Sequence, residues 1–397
     1  MKILQVNCVY NTGSTGKIVY DLHKTLERKG IESIVCYGRG KKLKEKNIYK
    51  TSFELISKFN NIKSRVTGFQ YNGSFFATNK LINIIKKEKP DVVHLHCING
   101  FFVNIYKLLE FLKYNNIKTV ITLHAEFMYT GGCGISDECN KWMNICYDCP
   151  KLKSEIKSYF FDNTRKCWRM LKNIFEDFSE LRIVSVSPWL ENRARKSPIL
   201  ANKKHSTIFN GIDSKVFFKR EYSDLKKRLG LTNERILLHV TSNFNSELKG
   251  GKYIIDLAKN LDNNIKIIVV GDNCRNEMFK ENIINVGKIK DQNELAKFYS
   301  MADLTLITSK VETFSMVCAE SLSCGTPVVG FKAGGPETIS IKEFSSFVEY
   351  GNVDKLKKVI YKFLSNDYKE IEKIAHRIYS KEKMSNDYIK IYSEFGR

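Results

Sequence analysis

Short apolar runs alternate with stretches of helical period through most of the chain. Runs rich in aliphatic and β-branched residues predict buried strands at Lys2–Tyr10, Ser33–Tyr37, Val92–His96, Thr119–Leu123, Ile183–Val186, Ile236–Val240, Ile265–Val270, Leu304–Thr308 and Thr326–Gly330. Apolar positions on one helical face predict helices at Ile18–Lys29, Thr78–Lys87, Lys252–Leu261, Glu294–Met301, Phe314–Cys324, Val353–Leu364, Ile371–Tyr379 and Met384–Phe395. Alternating strands and helices favour parallel sheets covered by helices, so we expect an α/β protein.

The pattern predicts two α/β domains followed by a short helical segment. At 397 residues the chain is long enough for two or three domains with their own cores. We expect a first domain at 1–206, a second at 207–380 and a terminal helix at 381–397. Turn residues Asn210 and Gly211 mark the junction, and Val286 and Gly287 are expected to begin a loop.

The stretch from Asp303 to Thr338 contains the strongest candidate site. A strand, a polar loop, a helix, a glycine stop at Gly325 and a second strand follow one another as in a βαβ unit. Such a unit places its strand-to-helix loop at the carboxyl edge of a parallel sheet, where these folds bind ligands. With Thr313 as the N-cap, the N–H groups of Phe314 and Ser315 would open the helix and attract phosphate.

Two acids, Glu312 and Glu320, lie eight residues apart in this stretch. If both were helical they would be about 12 Å apart along the helix axis, which is too far for the carboxylate pair of a glycoside hydrolase. They are better suited to hold two parts of one long ligand. As an isolated pair they would instead be a solvated loop acid and a surface helix acid.

The order Glu, seven residues, Glu, then CGTPVVG and GGPE resembles the donor-site signature of glycosyltransferase family 4. The resemblance implies the GT-B fold: two Rossmann-like domains facing across a cleft, with a C-terminal helix crossing back to the first domain. It implies that Glu312 faces the donor sugar and that Glu320 holds the nucleotide ribose. It also implies retention of anomeric configuration by front-face displacement, with no metal ion required for catalysis.

Further residues match the family's pattern in part. Lys249 precedes a glycine pair at a helix entrance, where its ammonium would meet the donor diphosphate, although the upstream cation common in the family is absent from Thr241–Asn243. Gly16 lies in the loop NTGSTGK, which lacks the spacing of a P-loop and in the family covers the bound substrates. His124 follows a strand and corresponds to an active-site histidine, but the usual next Asp is Ala125, with Glu126 one place later.

Two sequence features around His124 suggest further sites. His94 and His96 share one strand face, and core or cleft-lining roles are commoner for such histidines than zinc binding. In the segment 126–152, which we treat as an insertion on the acceptor side, four cysteines have the spacing C-x5-C-x6-C-x2-C, namely Cys133, Cys139, Cys146 and Cys149. The final pair has knuckle spacing, so we expect a structural zinc site, with free thiols or a redox pair as alternatives.

The net charge of the chain indicates which kinds of binding partner to expect. The chain carries a formal net charge of +22, and residues 1–200 hold 33 Lys and Arg against 18 Asp and Glu. This excess favours a polyanion, namely nucleic acid, anionic lipid headgroups or phosphorylated substrates, although a solvated surface in a Lys-rich proteome would account for much of it. We rank a lipid surface above nucleic acid because the sequence has no zinc-finger or RNA-binding pattern. The basic, aromatic stretch Leu152–Phe178 is either a membrane-surface helix or a core helix with a solvated basic face. With no apolar run long enough to span a bilayer and no signal peptide, we expect a cytoplasmic protein that reaches the inner face of the membrane peripherally.

We therefore expect a retaining glycosyltransferase that moves a sugar from a UDP- or GDP-sugar to a glycan or lipid-linked acceptor. The resemblance places it in capsule, exopolysaccharide or O-antigen assembly. Two alternatives stay open at this point: a nucleotide-sugar epimerase on the same fold, and an inactive nucleotide-binding scaffold, which the lost upstream cation permits.

Overall fold

The computed structural model describes residues 1–272, 274 and 281–396, and it divides the chain into two compact units. The first, unit 1, comprises Met1–Ile208 together with the chain from Met384 onward. The second, unit 2, comprises Phe209–Lys383. Within the described residues, no helix combines the length and the apolar character that crossing a bilayer requires.

Unit 1 contains a seven-stranded parallel sheet in the order β3-β2-β1-β4-β5-β6-β7. Its strands are β1 (Lys2–Asn7), β2 (Glu32–Tyr37), β3 (Ile48–Lys50), β4 (Val92–Leu95), β5 (Thr119–Leu123), β6 (Leu181–Ser185) and β7 (Lys204–Thr207). Its helices are α1 (Gly13–Arg28), α2 (Glu54–Thr67), α3 (Phe75–Glu88), α4 (Ile105–Tyr114), α5 (Thr164–Glu176) and α6 (Pro188–Lys196), and α14 (Lys381–Ser393) joins them from the end of the chain.

Unit 2 contains a six-stranded parallel sheet in the order β10-β9-β8-β11-β12-β13. Its strands are β8 (Arg235–Thr241), β9 (Ile265–Gly271), β10 (Ile283–Gly287), β11 (Leu304–Ile307), β12 (Val328–Phe331) and β13 (Ser345–Val348). Its helices are α7 (Ser223–Arg228), α8 (Gly251–Asn260), α9 (Gln292–Met301), α10 (Met316–Ser323), α11 (Gly335–Ile339), α12 (Val353–Leu364) and α13 (Ile371–Tyr379).

Each unit has its own apolar core. In unit 2, helices α8 and α12 cover the sheet with residues such as Ile254, Leu257 and Ile360, which are almost completely buried. In unit 1, α1 packs on the sheet beside α14, which contributes Tyr388 and Tyr392 to the core. The terminal helix is therefore part of the core of unit 1; Arg397 lies outside the described residues.

Strand order locates the candidate sites. In both sheets the order in which strands are added reverses beside the first strand of the unit, between β1 and β4 in unit 1 and between β8 and β11 in unit 2. Ligands of such folds bind outside the carboxyl ends of the strands at this switch point. Candidate residues that follow β8 and β11, or β1, β4 and β5, therefore lie at the expected edge.

Several predicted bounds are wrong for identifiable reasons. The segment from Gly13 is already helical in α1, and β1 ends at Asn7 because Asn7 Nδ2 donates to the Val9 carbonyl and turns the chain. Val286 and Gly287 belong to β10, an edge strand that pairs on one side only and therefore lacks a buried apolar run. For the stretch Leu152–Phe178 the sequence left two alternatives open, and the structure has a core helix there, α5, whose Trp168 and Phe175 are buried.

Candidate functional site

Lys249 is held at the carboxyl end of β8 by the glycines that follow it. A Cβ on Gly250 would lie 2.0 Å from the carbonyl oxygen of Thr308, and one on Gly251 would lie 2.2 Å from that of Phe244. Only glycine permits this close approach, which brings the Lys249 carbonyl to accept from the Thr308 hydroxyl at 3.1 Å. Lys249, which follows β8 in the chain, is thereby placed next to the end of β11.

Glu312 is fixed by backbone bonds to the loop after β12. Its N–H donates to the Ala333 carbonyl at 2.8 Å, and its carbonyl accepts from the N–H of Gly335 at 2.7 Å. A Cβ on Gly335 would lie 2.6 Å from the Phe314 nitrogen, so the GGPE glycine is needed for this pairing. The side chain of Glu337 secures the same loop by accepting from the N–H groups of Ala333 and Gly334.

The Glu312 carboxylate and the Lys249 ammonium form one ion pair, with Nζ and Oε1 2.8 Å apart. The Ser309 hydroxyl donates to the same Oε1 at 2.7 Å. Burial would raise the pKa of the Glu312 carboxyl, but the charge of Lys249 and hydrogen bonds from Lys249, Ser309 and Ser315 together lower the pKa below its usual value. Glu312 is therefore a carboxylate that accepts hydrogen bonds, and it is poorly suited to act as a general acid.

The helix after Glu312 begins later than predicted. Ser315, not Thr313, is the N-cap, its side chain accepting from the N–H of Cys318, and α10 starts at Met316. The bonds between Glu312 and the β12 loop hold the chain ahead of α10 in a bend, so Phe314 and Ser315 do not form the first turn. The first helical N–H groups, which have no partner within the helix, are those of Met316 and Val317.

Ser315 has an unusual backbone conformation, with φ 91° and ψ 92°. A non-glycine residue at such a positive φ costs on the order of 1–3 kcal/mol and persists only where its surroundings impose it. Here the surroundings are the paired Glu312 segment on one side and the first turn of α10 on the other.

Glu320 lies on α10 and is 8% exposed. Its Oε2 accepts from the hydroxyl of Tyr299, on α9, at 3.0 Å. Because Glu312 is not helical, the spacing of about 12 Å expected for two helical residues does not apply. Glu312 precedes α10 and Glu320 lies within it, and the two carboxylates have different hydrogen-bond partners.

In unit 1, His124 follows β5 and lies beside the end of β4. Its Nε2 is 3.3 Å from Nδ1 of His96, which is 1% exposed. Burial lowers the pKa of His124 to about 4. At neutral pH this imidazole is uncharged, so it can share a hydrogen bond with a hydroxyl but cannot neutralise a phosphate.

The histidine cluster is connected to the terminal helix. His94 Nδ1 lies 2.7 Å from the Tyr392 hydroxyl, and His94 Nε2 lies 2.7 Å from Thr122 Oγ1. Thr122 Oγ1 is in turn 2.9 Å from the Tyr388 hydroxyl. His94 is therefore a core residue with both ring nitrogens satisfied, in line with the core role weighed from the sequence.

Two other residues of unit 1 have packing roles. Gly16 is buried within α1, where a Cβ would lie 3.0 Å from Val9 Cγ2, so it lets α1 pack against the loop after β1. Glu126 is fully buried and accepts from Arg193 Nε at 2.6 Å and from the Ser136 hydroxyl at 2.9 Å. These bonds connect the cysteine-rich segment to α6. Glu126 therefore does not take the place of the aspartate that the family pattern has where this chain has Ala125.

The four cysteines converge on one place. Cys133, Cys139, Cys146 and Cys149 all line a single small cavity, and Cys146 Sγ accepts from the N–H of Gly131 at 3.2 Å. A hydrogen bond from Cys133 lowers the pKa of the Cys149 thiol to about 7. Among the described residues, however, no three His, Cys, Asp or Glu side chains are arranged as a metal-binding group. The donor chemistry fits zinc, and the zinc site stays a prediction.

Four supporting side chains were not singled out from the sequence. Ser309 and Tyr299 each donate to one of the two acids, Glu337 secures the glycine loop, and Arg193 neutralises Glu126. Serine and tyrosine occur throughout the chain, so no pattern marks these two before the fold brings them to their partners. Only Glu337 had a local signal, since it ends the GGPE turn.

This chain resembles known proteins in its fold and in the sequence of both halves. Two family models match, "Glycosyltransferase Family 4" over residues 15–216 and "Glycosyl transferases group 1" over residues 222–383. The structure superposes on sucrose-phosphate synthase from Thermosynechococcus elongatus with a TM-score of 0.69 and 15% identity, covering 99% of each chain. The Anabaena protein HepE, in complex with UDP-glucose, gives a TM-score of 0.66 and 16% identity, covering 99% of this chain and all of that one.

Two parallel-sheet α/β units with these neighbours define a GT-B fold. The first family model spans a little over half of the chain, so the protein belongs to glycosyltransferase family 4 and is a glycosyltransferase. Two sequence relatives extend over nearly the whole chain. N-acetyl-alpha-D-glucosaminyl L-malate synthase of Bacillus anthracis is 25% identical over 87% of this chain and 83% of its own. The colanic acid biosynthesis glycosyl transferase WcaC of Escherichia coli K12 is 22% identical over 99% of both.

Proposed function

We propose that this glycosyltransferase moves a sugar from a nucleotide-diphosphate donor, a UDP- or GDP-sugar, to a hydroxyl on a glycan or lipid-linked acceptor. The observation that carries the proposal is the ion pair of Lys249 and Glu312 at the switch point of unit 2, next to the first turn of α10. Cation, carboxylate and free N–H groups meet at one edge, as a charged diphosphate joined to a polyhydroxylated sugar would require.

Each residue has an assigned part. Lys249 and the N–H groups at the start of α10 hold the diphosphate. The segment Thr313–Ser315 leads into this first turn. Glu312, kept ionised, accepts hydrogen bonds from the sugar, and Glu320 accepts from the ribose. Neutral His124 contacts the sugar or the acceptor hydroxyl, and Gly16 shapes the loop beside it.

The proposed reaction retains anomeric configuration by front-face displacement. The acceptor oxygen bonds to the anomeric carbon as the bond to the diphosphate breaks, and the leaving diphosphate takes the acceptor's proton. An ionised Glu312 suits this reaction because the protein then positions groups and neutralises charge without supplying an acid. The name of the Escherichia coli relative supports a place in cell-surface polysaccharide assembly, such as capsule, exopolysaccharide or O-antigen.

The first test is a thermal-shift screen of the purified protein with UDP, GDP, ADP and CMP and their common sugars, with and without chelator. A nucleotide that binds the native state alone raises the melting temperature, and we expect a rise with UDP or GDP that survives chelation. The best donor is then assayed with extracted glycolipid, comparing Glu312→Ala with Glu343→Ala, an exposed glutamate of the same unit. Undiminished transfer by Glu312→Ala would refute the assignment; an epimerised donor, or binding without turnover, would refute the function.

A further inference from the structure

Helix α2 directs its apolar face towards solvent and its polar face towards the protein. Its apolar residues Leu55, Phe59, Ile62 and Val66 are 79%, 67%, 59% and 39% exposed. Their spacing puts them on one face of the helix. The face packed against the protein carries polar residues, and Ser57, Asn60 and Ser64 are buried there. A surface helix of a globular protein normally shows the opposite arrangement.

Specific bonds hold α2 in this orientation. Asn60 Nδ2 donates to Ser74 Oγ at 2.5 Å, and Ser64 Oγ donates to the Phe69 carbonyl at 3.0 Å. At the start of the helix, Glu54 accepts from the N–H of Gly40 at 2.7 Å. These hydrogen bonds hold the polar face of α2 against the protein, and its apolar face therefore points outward.

Two neighbouring segments extend the apolar face. Phe76, next to the Ser74 that bonds to α2, is 85% exposed, and Phe75 is 49% exposed. At the other end of α2, the N–H of Tyr159 donates to the Arg65 carbonyl at 2.6 Å, which places the exposed run Tyr159–Phe161 beside it. We call the four α2 residues together with Phe75–Phe76 and Tyr159–Phe161 the apolar patch. Contiguous exposed patches of this kind mark interaction sites.

Basic side chains surround the apolar patch. Lys58 and Lys63 lie on α2 itself, and the loop that contacts its first turn carries four exposed lysines within 41–46. On the other side, exposed Lys157 precedes Tyr159 by two residues, and exposed Lys166 lies over the ring of Phe69, just after α2. An apolar face bordered by lysines is the arrangement of a helix that lies in the interface of an anionic bilayer, with its rings among acyl chains and its lysines at lipid phosphates.

We propose that unit 1 binds an anionic lipid bilayer through the apolar patch and its basic border. A second copy of the chain fits the surface less well, because a twofold contact would bring the same lysines of both copies together. The inference concerns a surface outside the residues assigned to the donor, so it does not depend on which nucleotide sugar is used.

The test is flotation of the purified full-length protein with vesicles of phosphatidylcholine alone or mixed equally with phosphatidylglycerol. We expect binding to the mixed vesicles that weakens as salt is raised. The variant Phe59→Ser/Ile62→Ser/Phe160→Ser should bind at least about tenfold more weakly, since three apolar side chains no longer enter the interface. Tyr114→Ser is the matched control, because Tyr114 is 78% exposed at the far end of α4, and it should bind like the wild type.

A second variant separates charge from apolar burial. Lys41→Ala/Lys42→Ala/Lys44→Ala/Lys46→Ala should lose the preference for phosphatidylglycerol while its fold is unchanged, as circular dichroism would show. The proposal is overturned if no vesicle is bound, if the triple variant floats like the wild type, or if light scattering shows a wild-type dimer that the triple variant converts to a monomer. Nucleotide-induced thermal shifts should be the same in all variants, so failure here is distinguishable from failure of the proposed function.

Discussion

Lys249 and Glu312 share one ion pair, so a change in either residue alters the charge balance of the other. In Lys249→Met the diphosphate loses its cation, and kcat/KM should fall by about 10² to 10³. The pKa of Glu312 should rise once its neighbouring charge is gone, and the acid limb of the pH–rate profile should then move to higher pH. Steady-state kinetics from pH 5 to 8 would measure both effects.

The control for this change is Lys252→Met, which removes an exposed lysine from the first turn of α8 three residues away. It should leave both kcat/KM and the pH profile unchanged. Equal losses in the two variants would mean that Lys249 contributes only general positive charge, and the assigned role would then be wrong.

Tyr299 helps to position Glu320 through a buried hydrogen bond. Tyr299→Phe leaves the packing in place but deprives a carboxylate of one donor, a change worth about 1.5–3 kcal/mol. We expect KM for the donor to rise roughly 10- to 100-fold with kcat nearly unchanged, because the ribose contact is made equally in the ground and transition states. Tyr361→Phe, which removes a hydroxyl bonded to the N–H of Asp262 on the same unit, should leave KM unaltered.

At the scale of elements, β4, β5 and α14 meet around buried histidines. Burial lowers the pKa of His124, as it does the pKa of His23 and His239, to about 4, and it lowers the pKa of His94 and His96 well below the usual value. Below about pH 6.5 the unfolded chain takes up protons that the folded chain does not, so the free energy of unfolding should decrease as pH falls. From pH 7 to 5.5 the loss should be roughly 1 kcal/mol for each of these histidines.

Urea unfolding at a series of pH values would check this slope. His239→Gln should reduce the pH dependence by one histidine's share, whatever it does to stability at pH 7. A free energy of unfolding that is constant between pH 7 and 5.5 would contradict the prediction.

The cysteine-rich segment should bind one zinc ion per chain. Protein purified under reducing conditions should contain zinc by elemental analysis, and Cys146→Ser/Cys149→Ser should lose it together with thermal stability. Cys167→Ser, a buried cysteine of α5 outside the cluster, should keep the metal. Metal-free wild-type protein with four titratable thiols in this segment would leave the free-thiol alternative.

The sequence predicts elements well where local pattern and tertiary packing agree. Val353–Leu364 and Ile371–Tyr379 were predicted at the bounds that the structure shows, because their apolar stripes face the core. Helix α2 was not predicted although its apolar positions have helical spacing, and no local pattern records that this face points outward while serine and asparagine face inward. The start of α10 was misplaced because Ser315 adopts a conformation imposed by the β12 loop, a contact between segments that no local pattern records.

Some features of the candidate site can likewise be predicted from the sequence, whereas others depend on tertiary packing. Lys249, Glu312 and the GGPE glycines stand in a fixed order along βα units, so their meeting at one sheet edge follows from topology. The bonds of Ser309 and Tyr299 to the two acids depend on how separate elements pack. Likewise, the sequence placed Glu126 near His124 but did not show that Arg193 neutralises it.

At the scale of the whole molecule, the chain returns to its first unit at the end. Met384, Tyr388, Ile391 and Tyr392 of α14 are buried in the core of unit 1. Burying each such side chain stabilises by about 1.5–3 kcal/mol, so the four together are comparable to the whole stability of a domain, roughly 5–15 kcal/mol. A chain that ends at Lys383 should therefore contain a folded unit 2 and an unstable unit 1.

Limited proteolysis would show this directly. In the truncated chain, the region 1–208 should be degraded at protease concentrations that leave 209–383 intact, and mass spectrometry would identify the surviving fragment. A chain that ends at Phe395 keeps the buried helix and should resist like the full-length protein. If unit 1 of the chain ending at Lys383 were equally resistant, the prediction would be wrong. The sheet and α1 would then form a sufficient core by themselves, and unit 1 would not need α14 and its buried tyrosines for stability.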